Sequence, residues 1–506
     1  MPDADEPVLR EGWMAHRQAR QTLLWLLLAL LAALGAYGIV RLWGSLRLPS
    51  YFIPNRPEVA AVRQASKRAN VVVLVLDAVR ADHVGCYGYP RDTTPNLDRL
   101  AKQSAVFEQH FCQFTRTKES TASLFTSQYA DSHLAYRDRP LADSAFTIAR
   151  GLTGAGFSTA LFSSNFNASP ALDLGRHFQE AYYDPQITEV MRGTETRWSP
   201  EPCLRLFGDW LDEHGSERLF AYIHLMPPHT PYDQPEEMTE LFRGREPPGY
   251  RPDKYHPEQY DFPIEVEPHN APLPLPEWIN LYDANLRYGD WAVGETERLL
   301  KGVGIFEKTI LIVTSDHGEA FGEHGFVWHG EPIHDEVAHI PLLIRFPGGR
   351  AAQRVGALTE SIDLLPTIFD LFLIRYPEEQ VQGRSLLDLV AGLTDSVRDY
   401  AFTRAPRHSH KYMMRNHRHS LLLWGNGRWR TLYDLAADPG QNENVVAEEP
   451  EVVEQMARAF EEFALAQRVP PLNFLDPEVE VPRLPPAKAT RLAPEVKKAL
   501  RDLGYL

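Results

Sequence analysis

Residues 70–76 read NVVVLVL and run directly into Asp77, and residues 309–314 read TILIVT and lead through Ser315 to Asp316 and His317. Each is a short, unbroken apolar run rich in β-branched side chains, the pattern of a central strand in a parallel sheet covered on both faces. Working outward, strand runs at 159–162, 219–224 and 340–345 alternate with helical stretches at 95–103, 147–154, 202–213, 277–301 and 363–373. This alternation predicts an α/β fold, a mostly parallel central sheet sandwiched by helices. Ligands of such sheets sit beyond the carboxyl ends of the strands, and Asp77 and the Asp316-His317 pair fall at two such ends.

The flanks divide the chain further. Residues 70–396 form the expected catalytic domain. From 397 to 506 the texture changes to short strands at 412–423 and 429–434, an Asn426-Gly427 hairpin signal and a helix at 450–466. This predicts a small α+β C-terminal subdomain with a tail. Upstream, a tail at 1–21 precedes TLLWLLLALLAALGAYGIV at 22–40, and 41–69 reads as a linker. At about 1.5 Å per residue this uncharged run nearly spans a hydrocarbon core of about 30 Å, which predicts a single transmembrane helix. Small residues at Ala33, Gly35 and Ala36 leave signal cleavage open as the alternative. Arg10, Arg17 and Arg20 precede the span while Arg41, Arg47 and Arg56 follow it, so flanking charge does not set the orientation.

The net charge of −16 argues against nucleic-acid binding by phosphate neutralisation. Three scattered cysteines, Cys86, Cys112 and Cys203, are too few for a disulfide framework or a cysteine-ligated zinc. Asp77, Asp316 and His317 instead offer an oxygen and nitrogen ligand set that suits one divalent cation, zinc or manganese first and calcium as a further choice.

Several longer stretches resemble sulfatase-like proteins of the alkaline phosphatase superfamily. LDAVRADHVGCYGYPRDTTPNLDRLAKQSAVFEQHF, AYIHLMPPHTPY, the helix YDANLRYGDWAVGETERLLKGVGIFEKT, TILIVTSDHGEAFGEHGFVWHGEPIHDEVAHIPLLIRFPG and LYDLAADPGQNEN occur in the family's order across roughly residues 69–505. The resemblance implies a metal site on Asp77, Asp316 and His317 and a domain outside the cytoplasm, anchored in the inner membrane. It also implies a nucleophile in C/S-x-P-x-R just before a word like ASLFTSQYA (122–130). In that register Thr117 stands at the nucleophile position and Thr121 replaces the arginine. The methyl on the threonine Cβ bars oxidation to formylglycine, so none is expected. By resemblance to lipoteichoic acid synthases and phosphoethanolamine transferases, Thr117 would both touch the metal and attack phosphorus directly. Ala78 stands where many sulfatases carry a second aspartate, which fits a single-metal site.

The family pattern further implies His229 and His329 as catalytic and substrate-binding residues, one protonating the leaving group and the other binding ester oxygens. Lys118 would supply positive charge to the substrate in place of the missing arginine. Cys112, in a C-x-x-x-R decoy that lacks the proline, reads as a buried structural thiol. Arg80 reads as a structural partner of Asp82, Tyr232 as closing the PHTPY turn, and His133 is balanced between site and scaffold. The pairs His408/His410 and His417/His419 read as surface residues. Three functions follow: a Thr117-dependent phosphoesterase or phosphotransferase acting on an envelope lipid or glycan ester, a sulfatase in the strict sense, and a non-catalytic glycan- or partner-binding member.

Overall fold

The computed structural model describes residues 56–136, 139–183, 199–250, 273–406, 411–424 and 429–467. The apolar run at 22–40 and the Asn426-Gly427 turn lie outside the described residues. Among the described residues no helix is long and apolar enough to cross a membrane.

The strands in chain order are β1 (Asn70–Leu76), β2 (Ala105–Phe111), β3 (Ser158–Ser163), β4 (Glu180–Tyr183), β5 (Leu219–Leu225), β6 (Thr309–Ser315), a short ribbon β7 (Ala320–Phe321) with β8 (Val327–Trp328), then β9 (Leu342–Arg345) and β10 (Gln353–Glu360). Eight of them form one sheet in the order β10-β2-β9-β6-β1-β5-β3-β4. β9 runs antiparallel to both neighbours while the other pairings are parallel. The expected mostly parallel sheet is therefore present, with β1 at its centre between β5 and β6. β2, β4 and β10 carry polar residues within the strand, AVFEQHF, EAYY and QRVGALTE, and lack the apolar run that marks the central strands.

Alternation along β1 explains why both faces must be covered. Val71, Val73 and Val75 enter one hydrophobic cluster and Val72, Leu74 and Leu76 the other. β5 and β6 divide in the same way, with Tyr222 and Ile312 on the first side and Ile223 and Leu311 on the second. The helices Thr117–Thr126, Ile148–Gly154 and Leu364–Phe372 cover the first face. The second is covered by Glu201–His214 and Leu275–Gly302. Pro at the first turn opens both helices of that second face, where its missing N–H costs nothing.

A second sheet, β11 (Ala401–Arg404), β12 (Tyr412–Arg415), β13 (His419–Trp424) and β14 (Trp429–Asp434), is antiparallel throughout. One face packs Met414, Leu421 and Leu432 against Met456 and Phe460 of the helix Pro450–Ala466. The other packs Met413, Leu422 and Tyr433 against Phe111, Ile333 and Leu358 of the large sheet's flank. β11 also reaches the segment before Thr117, with Arg404 N donating to Gln113 O at 3.0 Å and Thr115 N to Arg404 O at 3.2 Å.

Candidate active site

β1 pairs with β6 in the register Leu76↔Ser315, so the next residue on each, Asp77 and Asp316, emerges beside the other at the carboxyl edge. Ala78 then turns with φ +63°, which brings its N–H to Asp316 Oδ1 at 3.2 Å. Asp316 Oδ1 also accepts from His317 N at 3.0 Å. Asp77 Oδ2 meets His224 Nε2 at 3.2 Å and the Asn165 side-chain amide. Each carboxylate thus spends one oxygen on protein donors and keeps the other, Asp77 Oδ1 and Asp316 Oδ2, buried without a hydrogen bond.

His317 completes the group. Its Nδ1 donates to the Gly318 carbonyl at 2.9 Å, which leaves Nε2 as the nitrogen turned to the carboxylates. Nε2 lies 3.7 Å from Asp77 Oδ1, 3.5 Å from Asp316 Oδ2 and 3.3 Å from Thr117 Oγ1. Unpaired acceptors converging in a dry site need a cation. The donor set, two carboxylates and an imidazole with ligand atoms within 4.8 Å of one another, fits a divalent one.

Thr117 opens the helix Thr117–Thr126 and is 3% exposed. The helix is tied to the metal-site loop by Ser120 Oγ, which donates to the Asp316 carbonyl at 2.6 Å. His229 and His329 meet in the same place, their rings 4.9 Å apart, and His329 stacks on His317 at 4.3 Å. His329 Nδ1 lies 3.1 Å from Glu319 Oε1. Burial disfavours the charged form of His229, yet the Asp77 and Glu319 carboxylates outweigh it and raise its pKa. Burial, then His317 and His229, hold His329 well below the usual histidine range. Burial pushes the Glu319 carboxyl up to about 7, against the pull of His229 and His317. Burial also opposes ionisation of Asp77, but His229, His224 and His317 keep its carboxyl well below the usual range.

Asp77, Thr117, His229, Asp316, His317 and His329 are thereby brought together. Lys118 sends its ammonium to the Arg139 carbonyl at 2.9 Å. Cys112 is fully buried with its thiol 3.6 Å from the Val337 carbonyl. Arg80 binds Asp82 through both oxygens, at 2.9 and 2.8 Å, and adds Glu323 at 2.7 Å. Tyr232 accepts from Trp278 Nε1 at 2.6 Å. His133 is a scaffold residue, 3.0 Å from Ser123 Oγ, with burial lowering its pKa to about 3. His408 and His410 lie outside the described residues. His419 corrects the surface reading: it is 7% exposed and 3.0 Å from Glu449, because the helix Pro450–Ala466 packs over that sheet. His224, Asn165 and Glu319 escaped sequence reasoning. A histidine inside the apolar run LFAYIHL, fully buried in β5, was the signal available for the first.

A family model described as Sulfatase matches residues 69–374, more than half of the chain, and one described as N-sulphoglucosamine sulphohydrolase, C-terminal, matches residues 322–466. The chain belongs to the sulfatase family. It is 24% identical over 362 residues to an ulvan-active sulfatase of Formosa agariphila, covering 66% of this chain and 68% of that one. An N-acetylglucosamine-6-O-sulfatase of Bacteroides thetaiotaomicron is 22% identical over 477 residues, covering 76% and 83%. The crystal structure of a phosphonate monoester hydrolase of Agrobacterium radiobacter shares the fold, with a TM-score of 0.68 at 22% identity over 83% of this chain and all of that one. The chain is an ester hydrolase of the sulfatase family.

Proposed function

We propose that the chain cleaves phosphate or sulfate esters through a covalent intermediate on Thr117, at a site holding one divalent cation. The observation that carries this reading is Thr117 Oγ1 at 3.3 Å from His317 Nε2, beside the two unpartnered carboxylate oxygens of Asp77 and Asp316. Asp77, Asp316 and His317 would hold the cation, zinc or manganese by donor type, with Thr117 at its edge. Such a cation lowers the pKa of a nearby hydroxyl and stabilises negative charge on the transferred group. Thr117 Oγ1, its proton released to solvent, would then form the bond to phosphorus or sulfur while the ester oxygen departs. His229, whose protonated form is favoured, supplies the proton to that oxygen. Thr117 also sits at the amino end of its helix, whose unpaired N–H groups favour an anion there. Water attack on the intermediate returns the Thr117 hydroxyl; attack by an alcohol makes the same site a transferase.

A strict sulfatase is the second reading, supported by family membership and by the sulfatases among the relatives. Thr117 cannot become formylglycine, so sulfate would also pass through threonine. The substrate we favour is an envelope lipid or glycan ester, with the run at 22–40 as the anchor and the catalytic domain outside the cytoplasm.

Turnover of p-nitrophenyl phosphate, a p-nitrophenyl phosphodiester and p-nitrophenyl sulfate ranks the substrates, with Thr117→Ala as control. Intact mass after substrate addition should show an adduct that Thr117→Ala lacks. Equal turnover by wild type and Thr117→Ala would refute the nucleophile.

A further inference from the structure

A second group of metal-binding side chains, His324, His334 and Glu336, shares no residue with Asp77, Asp316 and His317. The rings of His324 and His334 stack with centroids 3.7 Å apart and 15° between their planes. Glu336 bridges them, with Oε2 3.8 Å from His324 Nε2 and Oε1 3.8 Å from His334 Nδ1. His334 and Glu336 are 6% and 8% exposed, and neither His334 Nδ1 nor Glu336 Oε1 has a hydrogen-bond partner. His334 Nε2 faces the Tyr433 hydroxyl at 3.4 Å, which leaves Nδ1 turned toward the glutamate.

Buried polar atoms left without hydrogen-bond partners are costly, and a ligand that engages both relieves the cost. The charge balance is equally lopsided. Burial first, and then the Glu323 carboxylate, raise the Glu336 pKa well above its ordinary value, with Arg80 opposing. Burial lowers both histidines as well, which keeps their ring lone pairs available. Two imidazoles and a carboxyl group gathered in a buried cluster are the ingredients of a zinc-type site.

We propose that His324 Nε2, His334 Nδ1 and a Glu336 carboxylate oxygen bind a second divalent cation of the zinc type, structural rather than catalytic. Tetrahedral ligands at about 2.1 Å stand roughly 3.4 Å apart, so the stacked rings must tilt open and the donor atoms draw together modestly. His324 retains a side chain 12% exposed, through which water reaches the fourth position. Two imidazoles select zinc, cobalt or nickel over calcium or magnesium. The cation would pin the turn at His324 to the helix Asp335–Ala338. That helix already receives Gly318 N on Val337 O at 2.8 Å and Glu319 N on Glu336 O at 3.1 Å. It therefore braces the start of the loop that carries His317, Glu319 and His329.

The test counts zinc per chain by elemental mass spectrometry after loading the full-length protein and desalting. Wild type should retain two and His334→Gln one. Asp77→Asn with Asp316→Asn should retain one, which His334→Gln then removes. Cobalt loaded into that double variant should give visible absorption that His334→Gln abolishes. If the double variant does not fold, calorimetric zinc titration of wild type against His334→Gln and His324→Gln reads two sites against one. An unchanged zinc count in His334→Gln and His324→Gln would overturn the proposal, whatever Thr117 does.

Discussion

Replacing His224 with Phe tests whether the layer behind Asp77 sets the grip on the proposed catalytic cation. Asp77 Oδ2 has two donors, His224 Nε2 at 3.2 Å and the Asn165 amide, and this fixes the carboxylate so that Oδ1 faces Asp316 Oδ2 and His317 Nε2. Phe keeps a ring of similar size in β5 and removes one of those donors. Outer partners of this kind are worth roughly 10–100-fold in metal affinity, about 1.4–2.7 kcal/mol. A second effect falls on stability. The buried Tyr222 hydroxyl, 3.0 Å from His224 Nδ1, loses that partner, at a cost of about 1 kcal/mol. With about 2 cal/mol/K of unfolding entropy per residue, a chain of this length melts only about 1 °C lower for each kcal/mol. Competition against a chromophoric zinc chelator should therefore show a 10–100-fold weaker site, with Tm barely moved. At saturating metal kcat should return to near the wild-type value, because His224 acts through Asp77. His224→Gln should recover part of the affinity, since its amide can donate to Oδ2. Unchanged affinity in His224→Phe, or a kcat that saturating metal does not restore, would refute the reasoning.

Cys112→Ala should leave kcat and the native mass free of any formylglycine signature, and cost about 1 kcal/mol for the lost buried sulfur; a large loss of kcat would reopen the decoy motif. Among the described residues Arg116 has no ion-pair partner, and its Nε lies 3.0 Å from where a Cβ on Gly330 would stand. It adjoins both Thr117 and the residue after His329, so Arg116→Ala should raise KM for anionic esters about tenfold, or 1.4 kcal/mol, more than it lowers kcat. Gly330→Ala should disturb the same contact and, at φ +98°, destabilise the fold by about 1–2 kcal/mol in urea titration. Burial, with Asp98 adding to it, pushes the Cys86 thiol up to about 12. Protonated at every pH below that, it should alkylate far more slowly at pH 8 than a free cysteine does, read by mass spectrometry.

The central strands were legible because β1, β5 and β6 are buried on both faces and advertise this as runs that are almost wholly apolar. β2 and β10 were not, because their sequences mix glutamate, histidine and threonine with apolar residues. The two strand-end carboxylates could be read from sequence, since their position depends only on the strand that precedes them. His224 and Asn165 could not be assigned in the same way. His224 lies opposite Val75 through the β1–β5 register, and Asn165 follows β3, two strands from β1 in the sheet. Strand order and register are properties of the assembled sheet, and no local pattern encodes them. Lys118 shows how little adjacency decides: next to Thr117 in sequence, it turns its ammonium to the Arg139 carbonyl, because successive helical residues point about 100° apart.

That same angle explains why Thr117 is the residue brought beside His317 Nε2, where the proposed cation would sit. Asp77 and Asp316 leave neighbouring strands, which lie about 4.8 Å apart, and two ionised carboxylates at such a spacing repel unless a positive charge stands between them. The histidines beside Asp77 hold its carboxyl well below the usual range, and Asp77 Oδ1 and Asp316 Oδ2 are both buried without a hydrogen bond, an arrangement that a bound cation would complete. The third side is closed by the helix Thr117–Thr126, and its rotation is set by Ser120 Oγ on the Asp316 carbonyl. Three residues span most of one turn, so anchoring Ser120 brings Thr117 round to the same face, over His317. Its height along the axis is fixed independently, by β11 holding residues 113–115 through Arg404. A slip of one residue would present Arg116 or Lys118 to the carboxylates, and either would put a fixed charge where the proposed cation would bind and remove the proposed nucleophile. The antiparallel sheet beyond residue 400 thus helps determine the chemistry at an edge to which it contributes no catalytic side chain.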